Sequence, residues 1–316
     1  MKITPPPILS VVIPVFNEEP VLPELFTRLY PALDALNITF EIIFINDGST
    51  DGSVKLLTEQ YHKRSDVTRV ILFEGNFGQH RAILAGFEHC RGQQIVTLDA
   101  DLQNPPEDIA LLLHEMHKGH DYVGSIRRKR KDILWRHYAS RAMNRLRERI
   151  TNIKMTDQGC MMRAYSRRII ETINQCNELH TFIPALAYQF ALNPTEVVVG
   201  HEERFAGKSK YSLYSLIRLN FDLMTGFSII PLQLFSLLGI VISFLSGILV
   251  LYLAARRIII GPEEGGIFTL FAIAFLLIGF TLFGIGLLGE YLGRIYLEVR
   301  HRPRYMIAAI LQGEKE

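Results

Sequence analysis

Residues 96–108, Val-Thr-Leu-Asp-Ala-Asp-Leu-Gln-Asn-Pro-Pro-Glu-Asp, end an apolar run on two carboxylates one residue apart, Asp99 and Asp101. Gln103 and a proline pair follow. Carboxylates at that spacing reach one hard cation if the strand breaks after them. Mg²⁺ and Mn²⁺ prefer oxygen ligands and keep positions open for substrate phosphates. A cation held there would stabilise the charge that develops on the oxygen of a nucleotide diphosphate leaving group. A lone Asp-x-Asp is common by chance, and solvated carboxylates at a strand end read the same way. The run continued through Glu107 is much more specific.

Polar residues end other apolar runs too. Asn17 and Glu18 follow residues 9–15, and Asp47 follows residues 40–46. Asp47-Gly48-Ser49 also reads as a plain turn with a helix cap.

These groups need a frame that brings strand ends together. Residues 9–15, 40–46, 67–74 and 93–99 read as buried strands. Residues 18–36, 78–90 and 105–119, and a segment beginning after Asp-Gly-Ser-Thr-Asp-Gly-Ser, read as helices. Continuous apolar strands alternating with helices predict an α/β fold with a mostly parallel sheet covered on both faces. Such sheets bind ligands beyond the carboxyl ends of their strands, where the acidic residues fall.

The chain has 316 residues with 34 Lys+Arg against 32 Asp+Glu, so net charge excludes little. Three cysteines at unrelated spacings, Cys90, Cys160 and Cys176, read as free thiols in a reducing compartment. The first ten residues carry no signal-peptide core, which predicts a cytosolic N-terminal region. Residues 223–255 and 265–289 are free of charge. Each exceeds the roughly 20 apolar residues that span a bilayer, which predicts two membrane helices. The connection between them is too short for a domain, so they form a hairpin. Arginines after the second span place both ends in the cytosol, although Arg256 and Arg257 weaken that bias. Glycines 279, 284, 286, 289 and 293 are expected to give close helix packing.

Residues 127–149 carry ten Lys/Arg, two acids and the sole tryptophan, Trp135. Beside a membrane domain, this basic amphipathic stretch is expected to lie on anionic headgroups. A solvated helix or a nucleic-acid patch would read alike. The expected organisation is a catalytic domain at 1–210, an interfacial helix at 211–226, two spans within 227–296 and a cytosolic tail at 297–316.

Six segments in order carry a resemblance: VVIPVFNEE, INDGSTDGS, GNFGQHRAILAGF, LDADLQNPPE, DQGCMMRAYSRR and RFAGKSKYSL, followed by the ending GLLGEYLGRIYLEVRHRPRY. The chain resembles the family 2 inverting glycosyltransferases of GT-A fold. More narrowly, it resembles the polyprenyl-phosphate glycosyltransferases, which include dolichol-phosphate mannose synthase. NFGQH, GCMMRAY and HTFIPALA lean toward the branch that transfers 4-deoxy-4-formamido-L-arabinose to undecaprenyl phosphate for lipid A modification and polymyxin resistance. Sister enzymes that transfer glucose or galactosamine share most of this frame. The Gln-x-x-Arg-Trp motif and extra spans of processive polysaccharide synthases are absent. Intact Asp99, Asp101 and Asp157 argue against a catalytically dead scaffold.

The resemblance implies roles. Pro14, Asn17, Glu18, Asp47 and Asp99 would bind the nucleotide. Asp99, Asp101 and Gln103 would hold Mg²⁺ or Mn²⁺. Arg204 and Lys210 would close on the diphosphate, with Gly207 and Ser209 letting that loop bend. Arg127, Arg141 and Arg163 would hold the lipid phosphate, since guanidinium binds phosphate bidentately. Asp157 matches the proposed catalytic base. However, a phosphate monoester with a second pKa of about 6 is largely dianionic at pH 7 and already nucleophilic; Asp157 would then orient the acceptor or balance nearby arginines. His80 would contact donor or acceptor, or simply face solvent. The implied partners are a UDP-sugar, undecaprenyl phosphate and membrane lipids, with no nucleic acid. The implied assembly is a homo-oligomer, tetramers occurring among relatives of this architecture. The implied location is the bacterial inner membrane, multi-pass, with the catalytic domain in the cytosol.

Overall fold

The computed structural model describes residues 6–127, 153–157, 159–176, 182–202, 225, 228–261, 267–299 and 303–313. Arg141, Arg204 and Lys210 lie outside them, as do all of the basic stretch but Arg127 and all of the interfacial segment but Thr225. The chain divides into two units. The first comprises Met1–Tyr138, Ile153–Tyr211 and Arg302–Glu316; the second comprises Ala139–Asn152 and Ser212–His301.

The first unit is built on one sheet. Its strands are β1 (Leu9–Val15), β2 (Phe40–Asn46), β3 (Thr68–Phe73), β4 (Gln94–Thr97), β5 (Tyr122–Arg127), β6 (Arg163–Ser166), β7 (Pro194–Val199) and β8 (Ile307–Leu311). They lie in the order β7-β5-β6-β4-β1-β2-β3-β8. The pairings β1/β2, β1/β4, β2/β3 and β5/β7 are parallel, while β6 and β8 run antiparallel to their neighbours. Helices α1 (Leu22–Asp34), α2 (Ser53–Lys63), α3 (Gln79–His89), α4 (Ile109–His117), α5 (Arg167–Gln175) and α6 (Ile183–Phe190) accompany it. Val11, Ile13, Val15, Ile42, Phe44, Val70 and Val96 are buried from the strands, with Leu22, Leu25, Leu29 and Leu33 from α1. The 3.6-residue period puts those α1 leucines on one face. The expected mostly parallel α/β fold is the one found.

β8 differs from the expected tail. It pairs antiparallel with β3, from Val70 opposite Leu311 to Phe73 opposite Ile307. Glu74 N donates to Met306 O at 3.1 Å. Tyr305 stacks on Phe73 with ring centroids 4.9 Å apart, and Arg69 Nη2 donates to Gln312 Oε1 at 2.9 Å. The physical reason is the edge of β3, whose backbone groups need partners or water. Deleting residues 303–316 is expected to lower the unfolding temperature of the detergent-solubilised chain by about 5 °C or more, read by scanning fluorimetry.

In the second unit, α7 (Ile230–Ile260) and α8 (Ile267–Val299) are long and apolar enough to cross a membrane by length and composition. A Cβ on Gly284 would lie 2.1 Å from the Phe235 ring, so close packing requires glycine there. Phe235 stacks on Phe280 with centroids 4.8 Å apart. Among the described residues of this unit, a Cβ on Gly279, Gly286, Gly289 or Gly293 would meet nothing within 4 Å, so the close packing seen there is at Gly284.

Candidate active site

The crevice follows from strand register. β4 pairs with β1 only from Leu9 to Val12, while β2 accompanies β1 to Val15. Beyond Val12 the chain after β4 turns away: Leu98 N donates to Val12 O at 3.1 Å, and the described ladder stops. Pro14 sits on β1 past that point, where its missing N–H costs no ladder bond to β4. The polar ends of β1, β2 and β4 thus all lie at the same end of the sheet.

After β4 the chain alternates its side chains. Ala100, Leu102 and Asn104 are buried, whereas Asp99, Asp101 and Gln103 are half-buried. Leu102 has φ +58°, a left-handed conformation costing an L-residue roughly 1–2 kcal/mol. Burial of its side chain, 3% exposed, holds it there. Gln103 N donates to Asp101 Oδ1 at 3.1 Å, closing the turn. Pro105 and the 3₁₀ turn Pro106–Asp108 then lead into α4. Gln79 Nε2, from the first turn of α3, donates to Asp99 Oδ1 at 2.6 Å. Among the described residues no three His, Cys, Asp or Glu side chains gather into a metal site. A pair of carboxylates with an amide oxygen nevertheless suits Mg²⁺ or Mn²⁺, which are bound by one or two carboxylates with substrate phosphates completing the shell.

The loops after β1 and β2 interlock. Asn17 N donates to Ser49 Oγ at 3.0 Å and Thr50 N to Asn17 Oδ1 at 2.8 Å. Glu18 N donates to Ser53 Oγ at 3.0 Å, and Gly52 N to Glu19 Oε2 at 2.8 Å. Asn17 is exposed with φ +55°.

Asp47 departs from the expectation of a nucleotide ligand. It is 3% exposed, and its carboxylate accepts Phe77 N at 2.7 Å and Gly78 N at 2.9 Å. Burial pushes its carboxyl up, against those two bonds. It therefore shapes the loop before α3, a contact distinct from the local turn and helix cap that the sequence also allowed. The neighbouring Gly48 has φ +68°, and a Cβ there would meet Gly75 C at 2.3 Å.

Asp157 and Arg127 form one group. Arg127 Nε donates to Asp157 Oδ2 at 2.7 Å and Nη2 to Oδ1 at 2.8 Å, a fork-on-fork pair. Burial alone would raise the Asp157 carboxyl, but the guanidinium outweighs it and holds the pKa below the usual carboxylate value. Gly159 N donates to Asp157 Oδ1 at 3.1 Å. Arg163 is fully buried and directed elsewhere. Its Nε donates to Cys160 O at 2.8 Å, Nη1 to the Tyr122 hydroxyl at 2.5 Å and Nη2 to Asp157 O at 2.6 Å. With its donors engaged and no solvent access, it braces the Asp157 segment rather than offering itself to a lipid phosphate.

With the geometry in place, comparison with known proteins decides the lineage. The model of Glycosyl transferase family 2 matches residues 10–173. This chain belongs to that family. The undecaprenyl-phosphate 4-deoxy-4-formamido-L-arabinose transferase of Yersinia pestis (strain Pestoides F) is 48% identical over 309 residues, covering 97% of this chain and 94% of that one. The protein of the same name from Yersinia pseudotuberculosis serotype O:3 (strain YPIII) gives the same identity and cover. Among solved structures, one described as a mycobacterial protein aligns over 69% of this chain and 73% of its own, at 19% identity and TM-score 0.50. That likeness is one of GT-A fold. The glycosyltransferase assignment from sequence stands.

Two site features of this transferase differ from or extend the sequence reading. His80 does not face solvent as an ordinary helix-start histidine. Its ring meets Phe182 edge-on at 5.4 Å, and Nδ1 is enclosed with no partner among the described residues. Burial pushes its pKa down to about 4, so it is neutral at pH 7. Gln79 was not singled out at all. Its signal was its place in the segment Asn-Phe-Gly-Gln-His, just before His80 at a helix start.

Proposed function

We propose that this transferase moves 4-deoxy-4-formamido-L-arabinose from its UDP carrier to undecaprenyl phosphate at a membrane, with inversion at the anomeric carbon. The observation that carries this reading is 48% identity across 97% of the chain to a relative of that name. In the reaction a lipid-phosphate oxygen attacks the anomeric carbon. The bond from that carbon to the diphosphate oxygen breaks, and its electron pair leaves with UDP. A single displacement of this kind inverts the centre.

Asp99, Asp101 and Gln103 are the proposed ligands of Mg²⁺ or Mn²⁺, which would neutralise the charge on the departing diphosphate. Asn17 and Glu18 form the nucleotide rim beside Pro14, and Arg204 and Lys210 are the proposed diphosphate cations. Arg127 and Arg141 are the proposed grip on the lipid phosphate. Asp157 is assigned the task of aiming Arg127, because its carboxylate is committed to that guanidinium and is a weak base. The acceptor, dianionic above a pKa of about 6, needs little help to attack.

The proposed setting is the cytosolic face of the inner membrane. Two helices of spanning length separate the body of the sheet from β8, which belongs to that same sheet. A chain that leaves a domain and returns to it crosses a bilayer an even number of times. Reporter fusions at residue 261 are therefore expected to read periplasmic and fusions at residue 316 cytosolic; the reverse pattern removes the hairpin. The sugar is tested by incubating membranes with undecaprenyl phosphate and a panel of UDP-sugars and weighing the products. A dominant formamido-arabinosyl product is expected, and a dominant glucosyl product overturns the donor assignment.

A further inference from the structure

We infer that Arg28, on α1, is a positioning residue for the metal-binding loop of the proposed reaction, acting through Glu107 and Glu202. One guanidinium makes two forks. Nε and Nη2 donate to Glu107 at 3.0 and 2.9 Å, while Nη1 and Nη2 donate to Glu202 at 2.9 and 3.0 Å. Glu107 lies in the 3₁₀ turn that ends the Asp99–Gln103 loop, and Glu202 lies just beyond β7. These two points are far apart in sequence, and Arg28 ties their side chains together.

Two further bonds join the same pieces, one between backbone groups and one from a backbone N–H to a carboxylate. Glu202 N donates to Gln103 O at 3.0 Å, and Gly200 N donates to Asp108 Oδ2 at 2.6 Å. A Cβ on Gly200 would meet Pro105 Cγ at 3.1 Å, so the segment after β7 lies close against the proline turn. The residue that offers an amide oxygen to the cation, Gln103, is thus pinned by its own carbonyl to the residue that Arg28 holds.

An isolated exposed ion pair contributes little. This site differs in geometry: four charge-assisted bonds converge on one planar group whose side chain is 23% exposed. Its effect falls on orientation. The loop already holds Leu102 in a left-handed conformation, and such a turn relaxes when its outer support is removed.

The inference rests on the metal-dependent reading above, and its test separates the two. Mn²⁺ uptake by the full-length chain with UDP is followed by loss of the free-ion paramagnetic resonance signal, alongside kinetics for both substrates. Arg28→Ala is expected to weaken Mn²⁺–UDP uptake and raise the donor KM, each about fivefold to tenfold, with the acceptor KM and the unfolding temperature unchanged. Arg28→Lys keeps the charge but cannot fork twice, so it should behave like the alanine variant. Arg28→Ala/Glu202→Ala should be no worse than Arg28→Ala, because the partners act as a unit. Native Mn²⁺–UDP uptake by Arg28→Ala overturns the inference, as does an equal rise in both KM values with a fall in unfolding temperature. Failure of the unmutated chain to take up Mn²⁺ with UDP overturns the metal reading, and this inference with it.

Discussion

Asp101→Asn is expected to lower kcat by about 10³-fold or more, the effect of several kcal/mol of lost charge stabilisation on the leaving group. The substitution separates two functions of one side chain. Asn retains an oxygen that can accept the Gln103 N–H, bonded at 3.1 Å in the structure, so the turn around Leu102 should persist. What it loses is the anionic ligand. The variant should therefore unfold at the native temperature while failing to respond to added Mg²⁺ or Mn²⁺. Full activity of the unmutated enzyme in excess EDTA would end the metal assignment.

Asp157→Asn gives the second large effect, and its pH dependence identifies the role. The carboxyl titrates below its usual value, so it is ionised throughout the range from pH 6 to 8.5. Any change in the mutant's deficit across that range then reports the lipid phosphate. If Asp157 aims Arg127, the deficit should be about tenfold to a hundredfold at both pH values and should appear mainly in the acceptor KM. Arg127→Ala should resemble it. A general base would instead be worth about 10²–10⁴-fold near pH 6 and much less at pH 8.5, where the acceptor has already lost its proton. Recovery at high pH would restore the base role and remove the aiming role. Unmutated enzyme measured alongside corrects for donor and metal binding.

The parts of the fold that could be read from sequence share one physical property. β1 and β2 are buried on both faces, so each appears as an unbroken apolar run, and their bounds match the expected residues 9–15 and 40–46. β6, with the sequence Arg-Ala-Tyr-Ser, has no such signal. Its arginine is buried only because Tyr122 and two carbonyls wait for it, and these come from other segments. β8 was hidden for a different reason: five residues after a long apolar helix read as a tail until the edge of β3 is seen beside them.

The site divides in the same way. Asp99, Asp101 and Gln103 could be grouped from the sequence because one short run carries them. Asp47 was placed at the right strand end, but which N–H groups would face it depends on a loop about thirty residues further on. The Arg127–Asp157 pair had the same obstacle. Both residues were singled out, yet nothing in a linear sequence joins residues that distant. Gln79 and Arg28 act through partners that only tertiary structure supplies.

β8 also sets a schedule for synthesis. The ribosome makes β3 well before its edge partner, which follows both long apolar helices. At typical elongation rates the edge waits roughly 10–50 s. During that interval the nascent sheet has an open flank, and its completion comes only after the hydrophobic hairpin has left the ribosome. A sheet assembled in this order reaches its finished form only after both long apolar helices have been made.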